Sequence, residues 1–204
     1  MNLGWILYEV IVIKVKWHGD ASIEIFGDLH VLEDPNPVVP VEEESDVVLL
    51  THEHDDHFDR EAYEKLGSEA DLYAPGAALD KFELDGEAVE PGDKIEGEIK
   101  VLESDCWNSD ESVSYFYNGV LHSGDSASFP NPKGEVGLVF SACFPVNYDD
   151  YIEEFRRLEP ELVIPFHYNP GEGDEDARGL KQRLDDEGIP SRVLEAGESV
   201  EISG

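Results

Sequence analysis

The stretch Thr51-His52-Glu53-His54-Asp55-Asp56-His57-Phe58-Asp59 constrains this chain more than any other. Three of its seven histidines fall between positions 52 and 57, interleaved with carboxylates. An apolar run, Val47-Val48-Leu49-Leu50, precedes them and reads as a buried strand. Just past a strand end, residues two apart can project the same way, so His52 and His54 can close on one ion. Asp56 and His57 follow a bend and can face a second ion beside the first. Imidazole suits zinc, iron and related metals, and a carboxylate adds charge that holds two dications together. A helical His-Glu-x-x-His zinc motif is excluded, because its second histidine would fall on Asp56. The competing reading is a polar, acidic turn that happens to be rich in histidine. Three histidines in register with an aspartate, directly after an apolar strand, favour the metal cluster.

The frame His52-x-His54-x-Asp56-His57 resembles the signature of the metallo-β-lactamase fold hydrolases. The flanking text, DVVLLTHEHDDHFD, resembles the subgroup that includes the ascorbate-6-phosphate lactonase-like enzymes, and later segments fit in the same order from about Trp17 onward. The resemblance implies an α/β fold, a four-layer αβ/βα sandwich. Residues 1–204 are then one domain, with 1–9 an extra strand or a loose appendage. It also implies a ligand set. His122-Ser123-Gly124-Asp125-Ser126 is similar to the family's Gly-Asp segment, whose aspartate bridges two metals; read alone, Asp125 could equally sit in a tight turn. Pro165-Phe166-His167-Tyr168 is similar to the family's last histidine ligand; a core histidine is the alternative. His52, His54, Asp56, His57, Asp125 and His167 are thus the expected ligands. His122 either orients a ligand or is a partly buried strand histidine.

One departure matters. The family usually places another histidine after the strand that matches Ile99 to Leu102. This chain has Glu103-Ser104-Asp105-Cys106-Trp107-Asn108 there. Asp105 or Cys106 takes that role, or nothing does, and Trp107 is expected to pack on the pocket wall. Near Gly19, Asp20 stands where the family often has histidine; it either lines the site or closes a turn, and the turn is favoured. His18 and His30 read as structural or exposed. Asp34-Pro35 resembles the family's Asp-Pro.

Composition narrows the setting. Forty-eight acidic residues face 14 basic ones, for a net charge of -34. Self-repulsion on that scale destabilises a compact chain. Apolar content is still 40%, with three Trp, eight Tyr and nine Phe, so this is not a disordered acidic chain. The acids are spread along the sequence, which suits a globular, halophilic protein whose repulsion is screened within roughly 3 Å in molar salt. A basic binding partner is the rival. The charge also argues against nucleic acid as partner. Cys106 and Cys143 are too few for a disulfide scaffold, so a reduced, cytoplasmic setting is expected. The apolar N-terminus carries Glu9, lacks a basic n-region and is too short to span a bilayer, so no membrane partner is expected. A homo-oligomer stays open.

The remaining pattern predicts strands at Val10–Trp17, Ile23–Phe26, His30–Glu33, Asp71–Ala74, Ile99–Leu102, Val136–Phe140, Leu162–Pro165, Val193–Leu194 and Val200–Ile202. It predicts helices at Asp59–Leu66, Ala77–Leu84, Tyr148–Leu158 and Ala177–Glu187. Val113–Tyr117, Asn118-Gly119 and Val120–His122 form the clearest hairpin. Asp174-x-Asp176-x-Arg178-Gly179 echoes a calcium loop but reads as an acidic loop before the last helix. No phosphate loop or nucleophile elbow is present.

The expected chemistry is hydrolysis by a hydroxide activated on one or two divalent ions, zinc foremost with iron or manganese as alternatives. The substrate is a small-molecule ester, lactone or phosphodiester, and Asp56 or Asp125 takes a proton. The alternatives are a metal-binding protein of the same fold without hydrolytic activity, and a nucleic-acid processing hydrolase.

Overall fold

β-Branched and aromatic residues at alternate positions set up a meander at the start of the described chain. In this computed structural model, residues 12–65, 69–144, 148–169 and 171–203 are described. β1 (Val12–Gly19) pairs antiparallel with β2 (Ser22–Phe26), and β2 with β3 (His30–Glu33). The chain then switches to parallel pairing through β4 (Val47–Leu49), β5 (Asp71–Ala74) and the short β6 (Glu87–Ala88). α1 (Arg60–Lys65) and α2 (Gly76–Phe82) lie in the crossovers.

The second sheet starts with β7 (Lys94–Ile95) and continues antiparallel through β8 (Ile99–Glu103), β9 (Val113–Tyr117) and β10 (Val120–His122). Parallel β11 (Leu138–Ala142) and β12 (Leu162–Phe166) follow, with α3 (Tyr148–Leu158) between them. After α4 (Asp174–Asp186), β13 (Ser199–Ser203) returns to the first sheet beside β1. The described strands make a seven-stranded sheet, β13-β1-β2-β3-β4-β5-β6, and a six-stranded one, β12-β11-β10-β9-β8-β7.

The inner faces share one core. Val15, Ile23 and Ile25 of the first sheet pack with Val101, Tyr115, Leu121 and Phe140 of the second. α3 adds Tyr151, Ile152, Phe155 and Leu158 at helical spacing. Leu32, Val48, Leu50, Phe58 and Leu72 join Ala78 of α2 in a second cluster. Each sheet is thereby covered by helices on one face, and the architecture is an α/β sandwich.

Several sequence expectations shift. Val193–Leu194 is not a strand: the segment is tied down by a bridge of Ser191 to Val163 and by the Tyr168 hydroxyl, which donates to the Leu194 carbonyl at 2.6 Å. The acidic stretch from Asp174 is the first turn of α4 rather than a loop, because carboxylates suit the positive end of a helix. β11 begins two residues later than Val136, after Gly137 reaches back to the Gly119 carbonyl. β6 and β7 are too short to leave a periodic signal. The expectations for Met1–Glu9, Leu66 and the helix stop at Gly67 lie outside the described residues.

Candidate metal centre

The candidate ligands sit where strands end. β4 delivers His52 and His54, and the 3-10 turn Asp55–His57 bends the chain so that His57 is buried beneath them. Asp125 follows β10. Gly124 makes this possible: at φ +55, a Cβ there would lie 2.9 Å from Thr51 Cβ and Oγ1. His167 follows β12 in the left-handed region at φ 68, its amide bonded to the Asp20 carbonyl at 3.1 Å. Positive φ is uncommon for a residue with a side chain and persists where the surroundings dictate it.

Two adjacent donor groups result. In the inner group, donor atoms of His52, His54, Cys106 and Asp125 all lie within 4.8 Å of one another; in the outer group the same holds for Asp56, His57 and His167. Asp125 joins them. Its Oδ2 is 3.7 Å from His52 Nε2, and its Oδ1 is 3.2 Å from both His57 Nε2 and His167 Nε2. All six ligands expected from the resemblance are therefore brought together. Of the two substitutes for the missing histidine, only Cys106 reaches the group, and the Asp105 side chain is exposed. Trp107 does not pack on a pocket wall; it is 86% exposed, beside Cys106, whose side chain is the one that reaches the donor group.

A buried network fixes the ring protons. Asp34 is fully buried and accepts from Thr51 N, Thr51 Oγ1 and His57 Nδ1, each at 2.8 Å. With its proton committed to Asp34, Thr51 Oγ1 accepts from His52 Nδ1 at 3.0 Å. His54 donates Nε2–H to the Asn108 carbonyl at 3.3 Å. His52 Nε2 and His54 Nδ1 consequently turn lone pairs inward, and His57 Nε2 is left facing Asp125. His52 Nε2 then faces His54 Nδ1 at 3.0 Å, and His57 Nε2 faces His167 Nε2 at 3.2 Å. Asp125 Oδ1 is buried and faces the ring nitrogens of His57 and His167. The facing lone pairs of His52 Nε2 and His54 Nδ1 repel one another unless a cation lies between them. The donor set fits a divalent ion on that ground.

Without an ion, the two groups differ in charge. Burial, with His57 beside it, pushes His52 down to about 4, so a proton is a poor occupant there. Burial opposes charge on His57 as well, but Asp34 and Asp125 outweigh it and hold the imidazole well above its usual range. Burial likewise works against the Asp125 carboxylate, yet His57, His167 and His52 hold it well below the ordinary range. Burial and the nearby Asp125 and Glu53 carboxylates push the Cys106 thiol up to about 12.

Sequence reasoning missed the support around the ligands. Asp34 was tied only to a strand-end Asp-Pro, and nothing in one dimension linked it to His57. Glu53, between two ligands, accepts from Ser109 Oγ at 2.9 Å and Asp110 N at 2.6 Å and so straps the Cys106 loop to the motif. Asp20 does both things weighed for it. It closes a turn at φ 50 and sets Oδ1 3.5 Å from His167 Nδ1. His122 is a buried strand histidine one step removed from the ligands. Its Nε2 donates to the Ala21 carbonyl at 3.1 Å, and its Nδ1 lies 3.2 Å from Glu33 and 3.9 Å from Asp34. His18 and His30 are structural: Glu24 joins them, at 2.5 Å and 3.0 Å.

Two facing mixed sheets clad by helices, with donors gathered at the strand ends, define a protein of the metallo-β-lactamase fold. Solved structures bear this out. Igni18, described as a novel metallo hydrolase from Ignicoccus hospitalis, superposes with a TM-score of 0.75 at 19% identity, covering 95% of this chain and 100% of that one. The metallo-β-lactamase fold protein YhfI from Bacillus subtilis gives 0.68 at 14%, covering 92% and 99%. No family model matches the sequence. In sequence the chain is similar to proteins named UPF0173 metal-dependent hydrolases. One from Thermoplasma acidophilum is 25% identical over 187 residues, 77% of this chain and 84% of the relative. One from Methanopyrus kandleri is 28% identical over 232 residues, 92% and 99%. No described helix is long and apolar enough to cross a membrane.

Proposed function

We propose that this metal-dependent hydrolase of the metallo-β-lactamase fold acts on a small-molecule ester, lactone or phosphodiester, with His52, His54, Asp56, His57, Asp125 and His167 as its metal ligands. The observation that carries the reading is the sharing of Asp125 by two donor groups whose ring nitrogens converge. A divalent ion held there, zinc foremost, would lower the pKa of water toward about 7 and would polarise a carbonyl or phosphoryl oxygen. The chain does the rest. Asp34 and Thr51 hold the rings in the ligating tautomers, and Asp125 neutralises charge between the two groups. Asp56, half exposed and 3.6 Å from His167 Nε2, is better placed than Asp125 to take the proton of the attacking water. Asp125 is enclosed by three histidines.

The motif's likeness to the ascorbate-6-phosphate lactonase-like enzymes makes lactones the first substrates to try. A nucleic-acid substrate is disfavoured, since Lys81, a cation beside the motif, is committed to the Glu53 carbonyl at 2.6 Å and Asp55 at 2.8 Å. We read the net charge of -34 as adaptation to high salt, and the free thiols of Cys106 and Cys143 as suited to a reducing, cytoplasmic setting.

The test is to purify the chain in molar KCl, load it with zinc, iron or manganese, and assay lactone, ester and chromogenic phosphodiester panels. Turnover is expected in the loaded protein and absent from His52→Ala and Asp125→Ala. Loaded protein that hydrolyses nothing above those variants would leave a metal-binding protein without this activity. Salt-sensitive RNA binding and cleavage would favour the nucleic-acid reading.

A further inference from the structure

The two donor groups are chemically unequal. The inner one combines two imidazoles, a carboxylate and a thiol, with His52 fully buried and Asp125 nine-tenths buried. The outer one combines two imidazoles with a half-exposed carboxylate and lacks sulfur. The thiol is not there through a floppy loop. On one side of Cys106, Asp105 N donates to Ser126 Oγ at 2.9 Å and the Asp105 carbonyl accepts from Ala127 N at 3.0 Å, tying the loop to the segment that bears Asp125. On the other side, Ser109 and Asp110 bond Glu53, and Ser112 bridges His52. Cys106 is thus strapped between the two segments that supply the other ligands, and its Sγ makes only a weak 3.7 Å contact to the Trp107 carbonyl. A carboxylate oxygen of Asp125 lies in the same group.

Resting on the hydrolase reading of this centre, we propose that the Cys106 sulfur is a metal ligand in place of the missing histidine. The inner group is then a sulfur–nitrogen site that fills first and selects zinc-class ions over magnesium, calcium or manganese. The sulfur–metal bond forms as the S–H bond breaks, and the proton leaves to solvent, so filling the inner group releases one thiol proton. Thiolate selects softer ions than oxygen donors do, and this sets the metal class. The outer group, with two nitrogens and an open carboxylate, takes the second ion more weakly.

Cobalt(II) alone is the probe, titrated into metal-free full-length protein in molar KCl. The first equivalent should bring in a near-ultraviolet sulfur-to-cobalt charge-transfer band. Cys143→Ser should keep the band, since Cys143 lies outside both groups. Cys106→Ser should lose it and weaken the first equivalent by 10-fold or more, and Cys106→His should restore affinity without the band. Alkylation by iodoacetamide, read by mass spectrometry, should be blocked at Cys106 by one equivalent of zinc and unaffected by manganese. Stoichiometric cobalt binding without the band, or an unchanged first affinity in Cys106→Ser, would overturn the sulfur ligand and leave the hydrolase reading intact. Failure of the native sequence to bind cobalt or zinc at all would overturn both.

Discussion

Replacing Asp34 by asparagine should disarm the outer ion site without touching a ligand. Asp34 accepts three hydrogen bonds, from Thr51 N at Oδ1 and from Thr51 Oγ1 and His57 Nδ1 at Oδ2. A carboxamide has one oxygen and one NH2, so one side must fail. If its oxygen stays on Thr51 N, the NH2 meets His57 Nδ1–H, and the ring must carry its proton on Nε2, aimed at Asp125. If the amide flips, the buried Thr51 N–H is left unsatisfied, costing about 1–3 kcal/mol. In both cases the buried anion that opposes His57 is lost, and breaking such a pair costs about 3–5 kcal/mol. At about 2–4 °C per kcal/mol for a chain of this size, the metal-free melting temperature should fall by roughly 6–20 °C. Affinity for the second ion should drop about 10–100-fold, the usual consequence of removing a group that orients a histidine ligand. Calorimetry of the metal-free protein and chelator competition followed by elemental analysis measure the two effects. An Asp34→Asn protein that melts within 2 °C of the native chain and holds its second ion equally well would refute the tautomer argument.

Three other outcomes are expected. Glu24→Gln should destabilise by about 1–3 kcal/mol, with a defined pH window. Burial opposes the Glu24 carboxylate, yet bonds from His18 and His30 lower it from 4.5 to about 2, so its contribution is present above 4.5 and lost as pH falls toward 2. Burial opposes charge on His30 too, but Glu24 raises it above 6.5, so that contribution is present below 6.5 and lost as pH rises through the folded value. The native-minus-variant melting difference should peak between about 4.5 and 6.5; a difference that stays flat from pH 3 to 9 contradicts this linkage. Gly124→Ala should cost about 1–3 kcal/mol by overpacking Thr51 and reduce metal content, because Asp125 is the next residue; unchanged melting and metal content would show that the close approach is unimportant. Raising KCl from millimolar to molar should raise the melting temperature as repulsion within a chain of net charge -34 is screened; a salt-independent curve would remove the halophilic reading.

Local pattern was enough for much of this protein. The Asn118-Gly119 turn sets the β9–β10 register, pairing Val120 with Tyr117, because that dipeptide accepts the turn geometry a tight hairpin needs. The four apolar residues of α3 recur at helical spacing, and all four are buried. The His52–His57 cluster names a metal centre because few other arrangements explain so many imidazoles after an apolar strand. Everything that depends on contact across the chain had to wait for the fold. His57 and Asp34 are 23 residues apart, and His57 and His167 are 110 apart. Asp105 and Cys106 are equal candidates in one dimension; only the straps to Ser126 and Glu53 aim one inward and leave the other in solvent. Composition and periodicity are properties of a segment, whereas a tautomer, a bridging carboxylate or an exposed Trp107 is decided by which segments meet. That is why residue types were legible from the order of amino acids, and their protonation and partners only from the packed structure.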